Sequence, residues 1–310
     1  MIFSRPFGYA GAMHVPFPGE LAALGAAVCW SLTPFVFESA GRRVGSLVVN
    51  FLRLVIGVAL LGAIGLGRRG MALPFDASPS AWLWLSLSGL VGFTFGDLCL
   101  FRAFVVIGPR LSGLLMALVP PIMGVLGLVV LGERLGARAW LGMAVTVGGV
   151  AWVVIDRPGG PGESSARPRL GGLLLGVGGA VGQAGGLLLS KIGMRNYDAF
   201  AATQIRVIVG GLGFAVIFTL LGGWPRVGRA LCDGRSMSTI SIGALLGPCL
   251  GVGLSLLAVQ HTQVGVAATI MALVPVLMIP AAWWLRRDRA SRRAMAGAAL
   301  AVVGAGLFFL

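Results

Sequence analysis

The sequence predicts an all-α integral membrane protein with ten transmembrane helices, arranged as two inverted five-helix repeats. Two observations carry this prediction. Hydrophobic residues make up 57% of the 310 residues and charged residues only 11%, which is more apolar side chain than a soluble core can bury behind a polar surface. In addition, one order of motifs occurs twice along the chain, which is typical of an internal duplication.

Ten apolar runs are long enough to cross a bilayer as a helix, which takes about 20 residues. The first five are predicted at 20–41, 46–67, 82–107, 111–131 and 137–155. The second five are predicted at 170–191, 198–222, 239–260, 264–285 and 293–310. The domains are therefore an N-terminal segment (1–19), a first repeat (20–155), a polar linker (156–169) and a second repeat (170–310).

The duplication is visible in a six-residue motif. Leu-Met-Ala-Leu-Val-Pro at 115–120 recurs as Ile-Met-Ala-Leu-Val-Pro at 270–275, a shift of 155 residues that also brings Gly92 and Gly96 onto Gly247 and Gly251. A shift of 153 brings Arg53 onto Arg206. A unit with an odd number of spans reverses its direction when it is repeated, so the second copy is expected to be inverted. Inverted repeats are the architecture of alternating-access transporters.

Asp97 is the leading candidate for substrate binding or coupling. It lies well inside the third apolar run, where an ionised carboxylate costs roughly 2.5–3.5 kcal/mol and needs a partner, water or a function. It would either bind a proton or a substrate amine, or form a structural pair with Arg53 or Arg102.

Arg53 and Arg206 occupy equivalent positions in the second and seventh spans, and Asn50 and Gln204 give each of these spans further polar character. Two symmetric guanidinium groups could clamp a carboxylate bidentately. Alternatively, since both arginines are close to the starts of their helices, their side chains could extend to water or lipid headgroups.

The remaining candidates come from the first and sixth spans and from the repeated motif. Trp30, Ser31 and Gln183 could line a cavity for an amino-acid-like ligand, although Trp30 would serve equally well in ordinary packing. The repeated motif contributes Met116, Pro120 and Pro275. The two prolines are predicted to produce a kink common to both repeats.

Several classes of function are not supported by the sequence. The net charge of +14 comes from basic residues scattered between apolar runs, which suits contact with lipid headgroups and not with nucleic acid. The four cysteines and two histidines have no metal-ligand spacing, so neither a metal nor another cofactor is predicted. A membrane-embedded enzyme would need clustered acids or histidines at one face, and we predict no catalytic residue.

The chain resembles the EamA unit of the drug/metabolite transporter superfamily. The residues that carry the resemblance, in order, are Trp30, Arg53, Gly92-x3-Gly96-Asp97, the motif at 115–120 and Leu131-Gly132-Glu133. The resemblance implies ten helices, a central cavity between the repeats, and export of amino acids or similar metabolites across a bacterial inner membrane. The chain departs from the pattern where Gln183 replaces the tryptophan in the second repeat.

The resemblance also implies that both termini are cytoplasmic. The loops that this orientation places outside hold more Lys and Arg than those inside, against the usual positive-inside bias. In the first half alone, up to Arg138, the bias agrees with the resemblance, and early helices usually dominate insertion.

The expected partners are a small-molecule substrate, protons as coupling ions and membrane lipids, with a monomer as the plausible state. An uptake or facilitative carrier for nucleosides, vitamins or sugars, and a non-transporting scaffold, stay open as alternatives.

Overall fold

Helices account for nearly all of the structure, a computed structural model that describes residues 17–131, 136–155, 170–195, 197–261, 267, 270–271, 273–286 and 292–309. The first half contains α1 (Pro18–Val44), α2 (Ser46–Arg69), α3 (Pro79–Val106), α4 (Pro109–Leu115, a 3-10 turn at Met116–Leu118, and Val119–Leu131) and α5 (Ala137–Ile155). The second half contains α6 (Leu170–Met194), α7 (Ala199–Leu220), α8 (Trp224–Leu231), α9 (Gly234–His261), α10 (Val274–Arg286) and α11 (Arg292–Phe309).

Seven helices in the described parts of the chain are long and apolar enough to cross a membrane: α1, α2, α3, α4, α6, α7 and α9. The apolar parts of α5, α10 and α11 are shorter, at 140–149, 276–285 and 295–304. The prediction of ten spans is therefore supported in full for seven helices. Most residues of the ninth predicted span that precede Val274 lie outside the described residues.

The outward faces of these helices are apolar. On α1, Leu21, Leu24 and Val28 are exposed, and on α7, Leu212 and Val216 are exposed. The three- and four-residue spacing places these side chains on one face of each helix. Such faces fit a lipid environment, so the chain is a multi-pass membrane protein.

Two features of the second half differ from the sequence prediction. The eighth predicted span, 239–260, begins at Gly234, because the carboxylate of Asp233 caps the helix by accepting a hydrogen bond from the Ser236 N–H at 3.3 Å. The short helix α8 was not predicted. Its eight residues include two arginines, a proline and a glycine, a mixture without a long apolar run.

Pro120 and Pro275 lie close to the starts of helical segments, and the kink predicted at these prolines stays a prediction. Each is the second residue of a helical segment, Val119–Leu131 or Val274–Arg286. Proline is tolerated there because the first turn of a helix has no partner for the N–H that proline lacks. In α4 the change of geometry comes earlier, at the 3-10 turn Met116–Leu118.

Both halves contain a seven-residue π-helical segment at the same place in the repeat. In α3 it covers Leu90–Gly96, and in α9 it covers Leu245–Gly251, which matches the 155-residue shift. Such π segments widen a helix locally and are frequent at functional sites. In the first repeat, the segment ends directly before Asp97.

The equivalent helices α2 and α7 pack against each other in opposite directions. Near the start of α2, the rings of Phe51 and Phe218 have centroids 5.6 Å apart. At the middle of α2, a Cβ on Gly57 would lie 3.4 Å from Val207. Further along α2, the carbonyl of Val58 accepts a hydrogen bond from Gln204 at 3.3 Å. Rising residue numbers on α2 thus meet falling numbers on α7.

Two further contacts between the halves are equivalent under the repeat. A Cβ on Gly96 of α3 would lie 3.3 Å from the nitrogen of Gln183 on α6, and a Cβ on Gly251 of α9 would lie 2.6 Å from the indole nitrogen of Trp30 on α1. The two shifts found in the sequence convert the first pair of residues into the second. α3 therefore packs on α6 as α9 packs on α1.

The loops meet at two opposite ends of this bundle. At one end, Arg43 pairs with Asp233 at 3.3 Å. At the other end, the Tyr197 hydroxyl donates a hydrogen bond to Asp76 at 2.8 Å. Partial burial and this bond raise the pKa of Tyr197 to about 12, so the hydroxyl stays a donor at neutral pH. Both ends are thus held by contacts between the repeats.

Candidate functional site

A buried polar cluster lies where α2 and α3 meet the second repeat. Asp97, in α3, is 3% exposed, and Arg53, in α2, is also 3% exposed. A guanidinium nitrogen of Arg53 donates to Oδ2 of Asp97, so the two form a buried salt bridge. Asn50 holds the pair in place, since its Oδ1 accepts from Arg53 Nε at 3.1 Å and its Nδ2 donates to the Asp97 carbonyl at 3.2 Å.

This arrangement shows which arginine pairs with Asp97. The carboxylate pairs with Arg53, whereas Arg102 is exposed on the same helix. Arg53 is buried, so it does not extend to water or headgroups in this structure. Taking both ions out of water is costly, and the pair is maintained because each charge satisfies the other.

The second repeat contributes two further groups to the cluster. Gln183, half-buried on α6, donates a hydrogen bond from Nε2 to Oδ1 of Asp97 at 2.8 Å. Arg206, on α7, is 4% exposed, and a Cβ on Gly92 would lie only 3.2 Å from its Nη2. The polar groups of Arg53, Asp97, Gln183 and Arg206 thus come together from both repeats.

Aromatic rings surround the two arginines. The guanidinium of Arg53 lies over Phe101 at 4.4 Å from the ring centroid and over Phe93 at 5.7 Å. Arg206 lies over Phe93 at 5.0 Å. The faces of these rings carry negative electrostatic potential and stabilise the two cations. Phe93 and Phe101 were not among the sequence candidates, although their spacing from Asp97 on one helix was a signal that could have found them.

Arg206 is less well satisfied than Arg53. Its Nε is buried and has no hydrogen-bond partner, and among the residues that the structure describes it forms no salt bridge. Most buried polar groups in proteins are hydrogen-bonded, so each exception requires an explanation.

The cluster breaks the symmetry of the repeats. The repeat equivalent of Asp97 is Val252, which packs against the apolar cluster that contains Phe93 and Val207. The equivalent of Gln183 is Trp30, which lies against Gly251. Both arginines are retained, but the acid and its amide partner are present only once. Asp97 pairs directly with Arg53, and among the described residues Arg206 has no carboxylate of its own.

Other sequence candidates lie outside the cluster. Gln204 donates to the carbonyls of Val58 at 3.3 Å and Ala72 at 2.8 Å, and so fixes α7 against α2 and the segment after it. The hydroxyl of Ser31 donates to the Val28 carbonyl of its own helix at 2.8 Å. Met116 packs against an apolar cluster that includes Phe37 and Phe101.

A cavity of about 410 Å³ opens near the C-terminal ends of α6 and α9. Apolar side chains of both repeats line it, among them Met123, Leu187 and Leu256. Lys191, Arg195 and His261 also line it, and no carboxylate does so in the part of the chain that the structure describes. The same described residues contain no group of His, Cys, Asp and Glu suited to a metal ion.

One family model and one solved structure show what this chain is similar to. The model of the EamA-like transporter family matches the chain twice, over residues 17–155 and 170–310. No curated protein matches it. Among solved structures, one protein with a crystal structure is 21% identical with a TM-score of 0.67, and the match covers 93% of this chain and 95% of that one. At this identity the likeness concerns the fold alone.

Proposed function

Since this chain belongs to the EamA-like transporter family, we propose that it is a secondary transporter that moves a small organic metabolite by alternating access. The proposed substrate is amino-acid-like, the direction is export, and the membrane is a bacterial inner membrane. Both termini are placed in the cytoplasm.

The observation that carries this proposal is the buried cluster shared by the two repeats. Arg53 and Asp97 come from the first repeat, and Gln183 and Arg206 from the second. The contacts between α2 and α7 run antiparallel, which supports repeats inverted relative to each other in the membrane. When one repeat rocks against the other, the bond between Gln183 and Asp97 breaks or forms. The protonation state of Asp97 can thereby be coupled to the side of the membrane to which the transporter is open.

Asp97 is the proposed site of proton coupling. Protonation would neutralise the carboxylate that now pairs with Arg53 and would weaken the attraction across the repeat junction. Because Asn50 and Gln183 also bond to Asp97, the change would reach α2 and α6 directly. Substrate and proton would then compete for, or depend on, the same set of polar groups.

The function is tested by flux measurements in proteoliposomes. A thermal-shift screen of the purified protein against amino acids, nucleosides and sugars would select solutes, because a ligand of the folded state raises its apparent stability. We expect at least one solute to exchange across the liposome membrane and to accumulate under an imposed proton gradient. A solute that binds but never crosses would refute transport.

The paired variant Arg53→Gln/Asp97→Asn tests coupling. It removes one charge of each sign and keeps hydrogen-bonding groups, so the net charge of the cluster is unchanged. We expect solute counterflow to persist while gradient-driven accumulation is lost. If accumulation remains proton-dependent in this variant, Asp97 is not the coupling group. Arg102→Gln, at an exposed position on α3, is the matched control and should behave as the wild type.

The orientation can be tested with a native cysteine. Cys232 is exposed, whereas Cys29 and Cys249 are buried and Cys99 is half-buried. With cytoplasmic termini, the segment between α7 and α9 lies on the outer side. A membrane-impermeant maleimide is therefore expected to label intact spheroplasts, and Cys232→Ser should remove the signal. If Cys232 is labelled only after lysis, the protein has the opposite orientation in the membrane.

A further inference from the structure

We propose that Arg206 binds an anionic group, a carboxylate, of the transported solute. This inference rests on the proposed function and adds the chemical class of the substrate. Arg206 is only 4% exposed. Its Nε has no hydrogen-bond partner among the residues that the structure describes, and its fixed planar donors match a carboxylate.

The charges of the cluster leave room for one more anion. Arg53, Arg206 and Asp97 together carry a net charge of one positive unit, and Asp97 already accepts hydrogen bonds from Arg53 and Gln183 on its two oxygens. Arg206 is left with the face of Phe93 at 5.0 Å and the more distant charge of Asp97. A buried guanidinium with so little compensation is costly. A ligand carboxylate would supply the missing acceptor.

Comparison of the two repeats explains why Arg206 has no matching acid. In the first repeat, Arg53 is matched by Asp97, while the equivalent position in the second repeat holds Val252. The second arginine has therefore been kept without its acid. If Arg206 only stabilised the fold, an apolar residue in its place would stabilise it more, since the position equivalent to the acid is already the apolar Val252.

The cavity near the ends of α6 and α9 gives an anion a route toward Arg206. Lys191 lines the cavity and Leu187 lies one turn deeper on α6, on the face that continues to Gln183. Gly186, adjacent to Leu187, lies 3.5 Å from the Cβ position of Gly92, and the Nη2 of Arg206 lies 3.2 Å from that same position. Leu187 and Leu256 both line the cavity and belong to the apolar cluster that contains Ile205. The cavity therefore adjoins the part of α7 next to Arg206.

The basic lining of the cavity suits the same substrate. Lys191 and Arg195 lie at its rim, and clefts lined by one sign of charge raise the local concentration of oppositely charged solutes. With the proposed orientation, the cavity opens to the cytoplasm, as an exporter requires for loading.

The test compares matched solutes and one variant. Leucine, leucinamide and 4-methylvalerate, with the corresponding phenylalanine series, would be added to purified wild-type protein and to Arg206→Gln in a thermal-shift assay and in liposome counterflow. We expect the carboxylates to raise the Tm of the wild type and leucinamide not to. In Arg206→Gln the affinity for carboxylates should fall at least about tenfold, as expected for a lost charged hydrogen bond.

The stability of the ligand-free variant separates binding from a structural role. Removing an uncompensated buried charge should leave the Tm of Arg206→Gln equal to or above that of the wild type, whereas a structural arginine would leave it lower. A lower Tm, equal responses to leucine and leucinamide, or a full carboxylate response in Arg206→Gln would each overturn the inference, as would a panel in which no carboxylate binds. If neutral or cationic solutes are transported instead, the inference fails and the proposed function stands. If no solute is transported, the proposed function itself fails.

Discussion

Asp97→Ala is expected to destabilise the protein by about 3–5 kcal/mol, the usual cost of removing one partner of a buried ion pair. The substitution leaves the buried guanidinium of Arg53 without its carboxylate. It also removes the negative charge that attracts the guanidinium of Arg206. It also removes the acceptor of Gln183 on α6. Unfolding in mixed micelles and the yield of monodisperse protein would measure the loss.

Two comparisons show that the loss comes from the unpaired charge. In Arg53→Met/Asp97→Leu both ions are replaced by apolar side chains, and this variant should be less destabilised than Asp97→Ala because no arginine is left without its salt bridge in α2. Arg43→Ala breaks the exposed pair with Asp233 and should cost far less, because water solvates both charges. Equal losses for Asp97→Ala and Arg43→Ala would contradict the burial argument.

Gly182→Leu is expected to separate α3 from α6 and to lower stability by about 3 kcal/mol or more, at the upper end of the cost of overpacking. A Cβ on Gly182 would lie 2.9 Å from the nitrogen of Gly96 and 3.0 Å from the carbonyl oxygen of Val91. These are backbone atoms of α3, so no side chain can turn away to make room. The neighbouring bond from Gln183 to Asp97, 2.8 Å long, should break as well.

The matched control is Gly171→Leu on the same helix. A Cβ on Gly171 would meet no atom of the described residues within 4 Å, and leucine has the higher helix propensity. The control variant should therefore keep the wild-type Tm or exceed it. If the two leucine variants unfold at the same temperature, the close approach of α3 and α6 is not a determinant of the fold.

Long apolar runs were the most reliable guide to the helices. The second span, predicted at 46–67, is observed at Ser46–Arg69, and the seventh, predicted at 198–222, is observed at Ala199–Leu220. Errors arose where polar contacts set the boundary. Asp233 begins α9 five residues earlier than the apolar run does, and α8 has no apolar run to indicate it. The kink predicted at Pro120 and Pro275 stays a prediction, and a 3-10 turn at Met116–Leu118 directly precedes the segment that contains Pro120.

The candidate site was only partly visible in the sequence. A carboxylate inside a membrane helix needs a partner, so Asp97 and the repeated arginines stood out from their position alone. The sequence offered both Arg53 and Arg102 as partners of Asp97. Their exposure in the fold separates them, since Arg102 faces outward while Arg53 faces the repeat junction. Gln204 has the same residue type as Gln183 but bonds to backbone carbonyls elsewhere.

The sequence by itself determined that the chain is a duplicated, multi-pass membrane protein with Asp97 and the repeated arginines Arg53 and Arg206 within its spans. Hydropathy and repetition are local properties of a chain, so they can be read without knowing what touches what. Only the tertiary structure decided that α2 and α7 meet antiparallel and that Gln183 reaches Asp97 across the repeats. It also decided that Arg206 is buried with no hydrogen bond at Nε from any residue in the described part of the chain. These facts depend on which faces of distant helices pack together, and that is set by close contacts such as Gly96 against Gly182.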